Sequence, residues 1–216
     1  MSALTADTSA PAVTSGRLWA GAIASAFAGG LLLGILTNLA QGWLPGAWNQ
    51  IANSGAVWSV AGFLAGAVLA RRVGPRAVAV AGLCAESGLV IGYYGYAELG
   101  RDGMGSLFAP MVWLCMAFVA GPLFAVAGSW WRGDNPRHRV IGLAALGGVF
   151  GMEGVHYAWG LHYAPQAWAC LAALIAVALL MGRSHKERVL TLLTAIPFSL
   201  LAYGTFEKLI LETLLG

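Results

Sequence analysis

Charged side chains are scarce in this sequence. Of its 216 residues, only 12 are Lys or Arg and 9 are Asp or Glu, so that 10% of the chain is charged. Soluble domains carry about 25% charged residues, which cover the surface that faces water. A chain with 59% hydrophobic residues cannot cover such a surface. The composition excludes a soluble enzyme, a nucleic-acid-binding protein and a disordered chain, and it indicates an integral membrane protein.

Cysteine is also rare, and its placement excludes a disulfide framework. Cys84, Cys115 and Cys170 each lie within an apolar run, and their number is odd. Such cysteines behave as small hydrophobic core residues. The N-terminal segment lacks the positively charged start of a signal peptide. Its Ser, Thr, Ala and Pro content predicts a disordered tail (1–16) before a single transmembrane domain (17–216).

Long apolar runs fill the rest of the chain. A spanning helix needs about 20 mostly apolar residues. Seven runs come close to or exceed that length: 17–40, 54–70, 77–98, 107–131, 140–158, 167–182 and 189–213. The sequence therefore predicts an all-α fold, a polytopic bundle of seven transmembrane helices.

Basic residues concentrate in alternate loops between these runs. The loops after the second, fourth and sixth runs hold Arg71, Arg72, Arg76, Arg132, Arg137, Arg139, Arg183, Lys186 and Arg188. The other loops hold only Arg101. Because Lys and Arg accumulate in cytoplasmic loops, we expect the N-terminus inside and the C-terminus outside.

Pairs of small residues four positions apart predict where the helices pack. Such pairs let helix backbones approach closely in a membrane. They occur as Gly30 with Gly34, Gly62 with Gly66, and Gly88 with Gly92, and a similar group is Gly147, Gly148 and Gly151. We therefore expect a compact bundle.

Four carboxylic acids lie inside the predicted spans. Glu86 is near the middle of the third span and Glu98 at its outer end, while Glu153 and Glu207 lie in the outer halves of the fifth and seventh spans. An ionisable group at membrane depth is costly and marks a functional site by default. Glu207 is followed by Lys208, but Glu86 and Glu153 have no Lys or Arg within four residues. Burial disfavours the charged form of a carboxyl group, so we expect these two to be neutral proton donors.

Aromatic side chains concentrate in the same predicted outer half. We expect a cavity that opens toward the outer leaflet, with Glu86 and Glu153 as its catalytic groups. The candidate binding residues around them are Asn53, Trp58, Tyr93, Tyr94, Trp113, His156, Tyr157, Trp159, Tyr203 and Glu207. Aromatic faces stabilise cations by about 2 kcal/mol or more where water is excluded.

A desolvated acid beside aromatic walls suits one type of reaction. The acid protonates an alkene or an epoxide, and the aromatic faces hold the resulting carbocation away from water. A second carboxylate or a histidine then removes the final proton. These are the requirements of a protonation-initiated terpene cyclase that acts on a prenylated, lipid-soluble substrate.

The seven spans, the separated intramembrane acids and the many aromatics resemble the small membrane-bound terpene cyclases of fungal meroterpenoid and bacterial indole-terpenoid pathways. The resemblance implies that Glu86 starts the reaction and that Glu153 is its partner or the base. It also implies a pocket lined by Trp58, Tyr93, Tyr94, Trp113, Tyr157 and Trp159.

A second resemblance concerns shorter segments: 53–58, 86–94, 121–128 and 148–154. They are similar to segments of uncharacterised small membrane proteins of high-GC bacteria. This resemblance implies nothing about activity, and it agrees with a multi-pass protein of the bacterial cytoplasmic membrane. The expected partners are the lipid bilayer and a lipophilic prenylated small molecule, without nucleic acid.

Two other functions stay open on the sequence alone. A transporter, or the substrate-binding subunit of one, can use the same pocket for a small aromatic or cationic ligand, with Glu86 carrying protons. Discontinuous helices and paired repeats would favour that function. Alternatively, the buried acids can serve only to specify helix packing.

Bound cofactors are not expected. Glu153 and His156 form one Glu-x-x-His pattern, whereas helical di-iron sites carry two copies. A retinal protein is disfavoured because Lys208 lies near the outer end of the seventh span and no Asp lies within any span. We expect no metal and no cofactor.

Overall fold

The computed structural model describes residues 11–46, 48–101 and 103–206, which are helical almost throughout and contain no strand. The α-helices are α1 (Pro11–Trp43), α2 (Trp48–Ala52), α3 (Gly55–Leu69), α4 (Pro75–Gly100), α5 (Phe108–Arg132), α6 (Pro136–Val155), α7 (Ala164–Met181) and α8 (His185–Phe206). A π-helix, His156–Gly160, continues α6. Seven helical segments of the described chain are long and apolar enough to cross a membrane. The prediction of an all-α bundle with seven transmembrane helices is confirmed.

The first helix begins earlier than the sequence indicated. Its backbone is helical from Pro11, within the segment 1–16 that was predicted to be a disordered tail. Proline is favoured at the first helical position, because the N–H group that it lacks has no helical partner there. The apolar α1 therefore extends beyond the run predicted at 17–40.

The bundle has two chemically different ends. The basic end carries the connections α3–α4, α5–α6 and α7–α8, where the sequence places its arginine-rich loops. The opposite end, the cavity end, carries the connections that follow α1, α4 and the π-helix. An N-terminus inside the cell would turn the cavity end outward, and this orientation stays a prediction.

Glycine pairs join α1 to α4 in both directions. An ideal Cβ on Gly30 or Gly34 of α1 would lie 1.9 Å or 2.0 Å from a carbonyl oxygen of α4. An ideal Cβ on Gly88 or Gly92 of α4 would lie 2.4 Å or 2.1 Å from a carbonyl oxygen of α1. Only glycine permits this approach, so the predicted packing role of both pairs is confirmed.

A similar contact holds α3 against α5. A Cβ on Gly66 would lie 1.8 Å from the carbonyl oxygen of Ala125, and a Cβ on Gly128 would lie 1.9 Å from that of Phe63. Phe63 is buried in an apolar cluster that α3 shares with α5 and α6. These contacts fix α3 next to α4 and α5, the helices that shape the cavity described below.

An ion pair ties α6 to α8 at the basic end. The Arg139 guanidinium donates to the Glu187 carboxylate, and their side chains are only 10% and 9% exposed. The backbone N–H of Arg183 donates to Glu187 Oε2 over 3.1 Å. Arg139 also donates to the carbonyl oxygens of Gly133 (3.2 Å) and Asp134 (3.0 Å). Arg139 therefore also holds the α5–α6 connection against the bundle.

Candidate functional site

The second span is interrupted near the cavity end. The short α2 ends at Ala52 and α3 begins at Gly55. Ser54 caps the new helix, because its Oγ accepts a hydrogen bond from the backbone N–H of Val57 over 3.1 Å. The 15 residues of α3 span about 22 Å, which is less than the roughly 30 Å of a bilayer core. The helix α3 is therefore shorter than a membrane span, and α2 completes the apolar segment Trp48–Leu69.

A cavity of about 700 Å³ lies at this helix start. Small-molecule sites in proteins have volumes of roughly 300–1,000 Å³. The wall includes parts of every helix from α1 to α6 and of the π-helix, and both Glu86 and Glu153 belong to it. The two acids that the sequence singled out therefore share one cavity.

Glu153 lies against the first turn of α3. Its side chain is buried, and Oε1 accepts a hydrogen bond from the backbone N–H of Ala56 over 2.9 Å. An ideal Cβ on Gly55 would lie 3.5 Å from the same oxygen. The first N–H groups of a helix have no partner within the helix, and the positive end of the helix dipole favours a negative charge. The carboxyl group of Glu153 thus binds a backbone N–H in the first turn of α3.

Glu86 lies deeper along the same helix. Its side chain is 4% exposed, and Oε1 accepts a hydrogen bond from the backbone N–H of Gly62 over 3.2 Å. A Cβ at position 62 would lie 3.0 Å from that oxygen, so glycine gives the carboxyl access to the backbone. Ala56 and Gly62 are separated by six residues, about 9 Å along a helix. The cavity therefore holds two carboxyl groups at two depths.

Two indole rings lie beside the acids. Trp58 is 2% exposed and comes between Ala56 and Gly62 on α3. Its ring centroid is 5.0 Å from that of Trp113 and 5.2 Å from that of Tyr93. Trp58 and Trp113 both belong to the cavity wall. The aromatic faces expected from the sequence are present, and they lie next to the carboxyl groups.

The wall contains most of the predicted site residues. Besides the two acids, it includes Asn53, Trp58, Trp113, His156 and Tyr157. Sequence reasoning missed Phe108, Phe124, Ser54 and Ser59, which also belong to it. Asn53 lies between α2 and α3, and the other six predicted members come from α3, α4, α5, α6 and the π-helix. The bundle brings them together.

Four other candidates lie elsewhere, and a fifth is not described. Tyr93 packs behind Trp58 and its hydroxyl donates to Gln41, while Tyr94 packs edge-on against Tyr93. Tyr203 lies on α8, outside the cavity wall. Trp159 is 70% exposed and lines a separate cavity between α6 and α7. Glu207 lies outside the described residues.

The helix that carries Trp159 is irregular at this point. Residues 156–160 form a π-helix rather than a continuation of α6. A π-helix closes i→i+5 hydrogen bonds and takes more residues per turn, so the side chains after it are rotated relative to an α-helix. His156 and Tyr157, at its start, remain on the cavity wall.

Carboxamide side chains are the main feature that sequence reasoning overlooked. Gln41, Asn49 and Gln50 join Asn53 on the cavity wall. The whole sequence has seven Asn and Gln residues, and these four fall within 41–53. That clustering was visible in the sequence, but Asn53 was the one member predicted as a site residue.

The charge of the wall has one sign. Its acids are Glu86 and Glu153, and no Lys or Arg is among the described residues that line it. The Arg101 guanidinium instead donates to the carbonyl oxygen of Asn38 over 2.6 Å, away from the wall. Within the described residues, no three His, Cys, Asp or Glu side chains form a group that could hold a metal ion.

Comparisons with known proteins give a family without an activity. A model described as a family of unknown function (DUF6518) matches residues 13–211. No curated protein and no solved structure matches the chain. The function therefore has to be argued from the cavity.

Proposed function

The chain belongs to the DUF6518 family, and because no activity comes with that membership, we propose its function from the cavity. It acts as an intramembrane acid catalyst of the terpene-cyclase type. It protonates an alkene or an epoxide of a prenylated, lipophilic substrate and closes a ring through a carbocation. The supporting observation is that two buried carboxyl groups and two indole rings share one wall.

The surroundings of the two acids suggest different roles. Glu153 accepts a hydrogen bond from the first turn of α3, where the helix dipole favours an anion. Glu86 lies deeper and accepts from a backbone N–H in the middle of the helix. We therefore assign proton donation to Glu86 and proton removal to Glu153, as a general acid and a general base.

The reaction conserves the composition of the substrate. The Glu86 proton forms a C–H bond with an alkene carbon, or an O–H bond with an epoxide oxygen whose C–O bond breaks. A second double bond of the substrate then attacks the cation with its π electrons and forms the new C–C bond. The Glu153 carboxylate removes a proton from a carbon next to the final cation, which leaves an alkene. Proton return from Glu153 to Glu86 through solvent at the cavity mouth completes the cycle.

The spacing of the groups suits these steps. The hydrogen bonds from Ala56 and Gly62 hold the carboxyl groups about 9 Å apart along α3. Protonation and deprotonation can then occur at different carbons of one chain. Trp58 lies between these levels with Trp113 against it, and aromatic faces stabilise a desolvated cation. We further propose that the protein lies in the cytoplasmic membrane of a bacterium, with its cavity end outward.

A turnover assay in heavy water tests this function. Membranes that contain the wild type or Glu86→Gln receive prenylated aromatic compounds and terminal epoxides. We expect wild-type membranes to form an isomer of an alkene substrate with one deuteron on carbon. Glu86→Gln cannot donate the proton and should form product at least about 100-fold more slowly, within the usual range of general acid catalysis. Mass spectrometry reads both quantities.

Glu98→Gln is the matched control for that assay. Glu98 is exposed at the end of α4 and does not belong to the cavity wall. Its substitution should leave turnover within a factor of two or so of the wild type. Equal losses in Glu98→Gln and Glu86→Gln, or a labelled isomer that persists in Glu86→Gln, would contradict the assignment of Glu86.

A transporter is the second candidate, and the interruption between Ala52 and Gly55 favours it. Transporters commonly bind substrate where a helix is discontinuous. In this case, proteoliposomes should accumulate a small aromatic cation when a proton gradient is imposed, and Glu86→Gln should abolish the gradient dependence. The compound would be recovered unchanged, whereas a cyclase would release an isomer.

A further inference from the structure

We infer that the cavity recognises an uncharged amphiphile, with a hydroxyl head at the carboxamide side chains and an apolar chain that extends to Glu86. This inference rests on the proposed function and specifies its substrate class. It excludes the phosphate and diphosphate esters in which prenyl chains are commonly activated. Three features of the cavity carry it: the chemistry of its rim, the charge of its wall and the change in polarity with depth.

The rim carries hydrogen-bonding groups without charge. We define the carboxamide rim as Gln41, Asn49, Gln50 and Asn53, all of which line the cavity. Asn49 is half-buried and Gln50 is exposed, so this part of the wall is accessible from the cavity end. A carboxamide both donates and accepts hydrogen bonds, and a hydroxyl group does the same. A phosphate only accepts hydrogen bonds and therefore pairs only with the NH2 groups of the carboxamides. An ammonium only donates and therefore pairs only with their carbonyl oxygens.

The charge of the wall disfavours an anionic head. Phosphate recognition in proteins relies on Arg, Lys, a metal ion or a backbone anion site. The described wall has neither Lys nor Arg, and the N–H group of Ala56 at the start of α3 already binds the Glu153 carboxyl group. A phosphate at the rim would lie close to Glu153. The Arg101 guanidinium lies beside Gly42, next to Gln41 of the rim, but it donates to the carbonyl oxygen of Asn38 and does not line the wall.

The wall becomes apolar with depth. Around the level of Glu86, the wall includes Val90, Ala117 and Phe124, which are all buried. Gly62 lies eight residues after Ser54, which corresponds to about 12 Å along a helix. A prenyl chain that starts at the carboxamide rim therefore extends through apolar wall to the carboxyl group that we assign as the acid.

Binding can be measured with four probes that share one chain. Farnesol, farnesyl phosphate and farnesylamine differ only in the head group, and farnesene is the related hydrocarbon without a polar head group. Purified full-length protein in nanodiscs would be titrated with each, and the shift in its thermal unfolding temperature would give the apparent Kd. We expect the Kd of farnesol to be at least about 10-fold lower than that of farnesyl phosphate and that of farnesene, which corresponds to one or two net hydrogen bonds and, against the phosphate, an absent charge penalty.

A double variant localises the effect at the carboxamide rim. Asn49→Ser combined with Gln50→Ser removes two accessible carboxamides, and the preference for farnesol over farnesene should fall about 10-fold. Asn135→Ser is the matched control, because Asn135 caps α6 at the basic end and serine is also a favoured cap. It should keep the wild-type preference.

The outcomes separate this inference from the proposed catalysis. Tighter binding of farnesyl phosphate or farnesylamine than of farnesol would overturn the inference, even if turnover in heavy water succeeds. An unchanged farnesol preference in the double variant would overturn it too. Conversely, selective farnesol binding that depends on the carboxamide rim, without any product from any prenylated compound, would support the inference while the catalytic function fails.

Discussion

Replacing Glu187 by alanine is expected to lower the free energy of unfolding by about 3–5 kcal/mol, the usual cost of leaving one partner of a buried ion pair alone. Glu187 accepts hydrogen bonds from the Arg139 guanidinium and from the backbone N–H of Arg183. Both side chains of the ion pair are about nine-tenths buried. The variant would leave a guanidinium without its counter-charge between α6 and α8. Thermal or denaturant unfolding in detergent micelles, followed by circular dichroism, measures the loss.

The basic end offers a matched control for this prediction. Arg71 and Asp134 also form an ion pair, but their side chains are 62% and 87% exposed. Exposed pairs contribute about 0–1 kcal/mol, so Asp134→Ala should have a small effect. A loss in Glu187→Ala no larger than that in Asp134→Ala would show that the buried pair does not stabilise the bundle.

A compensating double variant separates charge from packing. Arg139→Met combined with Glu187→Leu removes both charges and keeps most of the side-chain volume. Such replacements are often neutral or stabilising, so the double variant should recover most of the stability lost in Glu187→Ala. Because the pair lies at the basic end, away from the cavity, the double variant should bind farnesol as tightly as the wild type does.

The number and position of the spanning helices could be predicted because each depends on local composition. The run predicted at 107–131 corresponds to α5 (Phe108–Arg132), and the run at 54–70 corresponds to α3 (Gly55–Leu69). Both follow from apolar length against the thickness of a bilayer. Glycine spacing predicted that α1 and α4 each have a closely packed face for a similarly local reason, since residues four apart share a helix face, but it did not predict that these two helices pack against each other.

A cavity with Glu86 and Glu153 was expected from the sequence, but the sequence could not show that both side chains face it. Whether two side chains on different helices face each other depends on helix phase, and an error of one residue rotates a side chain by about 100°. The structure shows that both carboxyl groups contact α3, at Gly62 and at Ala56. The contact at Ala56 exists because α3 begins at Gly55. The position of this helix start relative to Glu153 depends on tertiary packing.

The misplaced aromatic candidates have a similar explanation. Tyr93 is seven residues after Glu86, which places both on one face of α4. Because Trp58 of α3 packs against Tyr93, the indole rather than the phenol lines the cavity. Trp159 is six residues after Glu153, and at about 100° per residue this spacing places the two side chains about 120° apart around a helix. The prediction of Trp159 as a wall residue did not take this spacing into account, and the structure places Trp159 at a separate cavity.

The second large effect is expected at Gly30, where alanine should lower the free energy of unfolding by about 3 kcal/mol. An ideal Cβ there would lie 1.9 Å from the carbonyl oxygen of Ala85. That atom belongs to the backbone of α4 and cannot rotate away, so the two helices would have to separate. Overpacking costs 1–3 kcal/mol where side chains can adjust, and occasionally more.

The neighbouring glycine provides the control and decides the interpretation of that result. Gly29 has no other heavy atom within 4 Å of its ideal Cβ position, so Gly29→Ala should gain roughly 0.5–1 kcal/mol from helix propensity. Separation of α1 from α4 would also move Gln41, which lies on the cavity wall and accepts a hydrogen bond from Tyr93 of α4. We therefore expect Gly30→Ala to weaken farnesol binding as well. Equal unfolding temperatures for the two variants would mean that the close contact between α1 and α4 does not exist in the membrane.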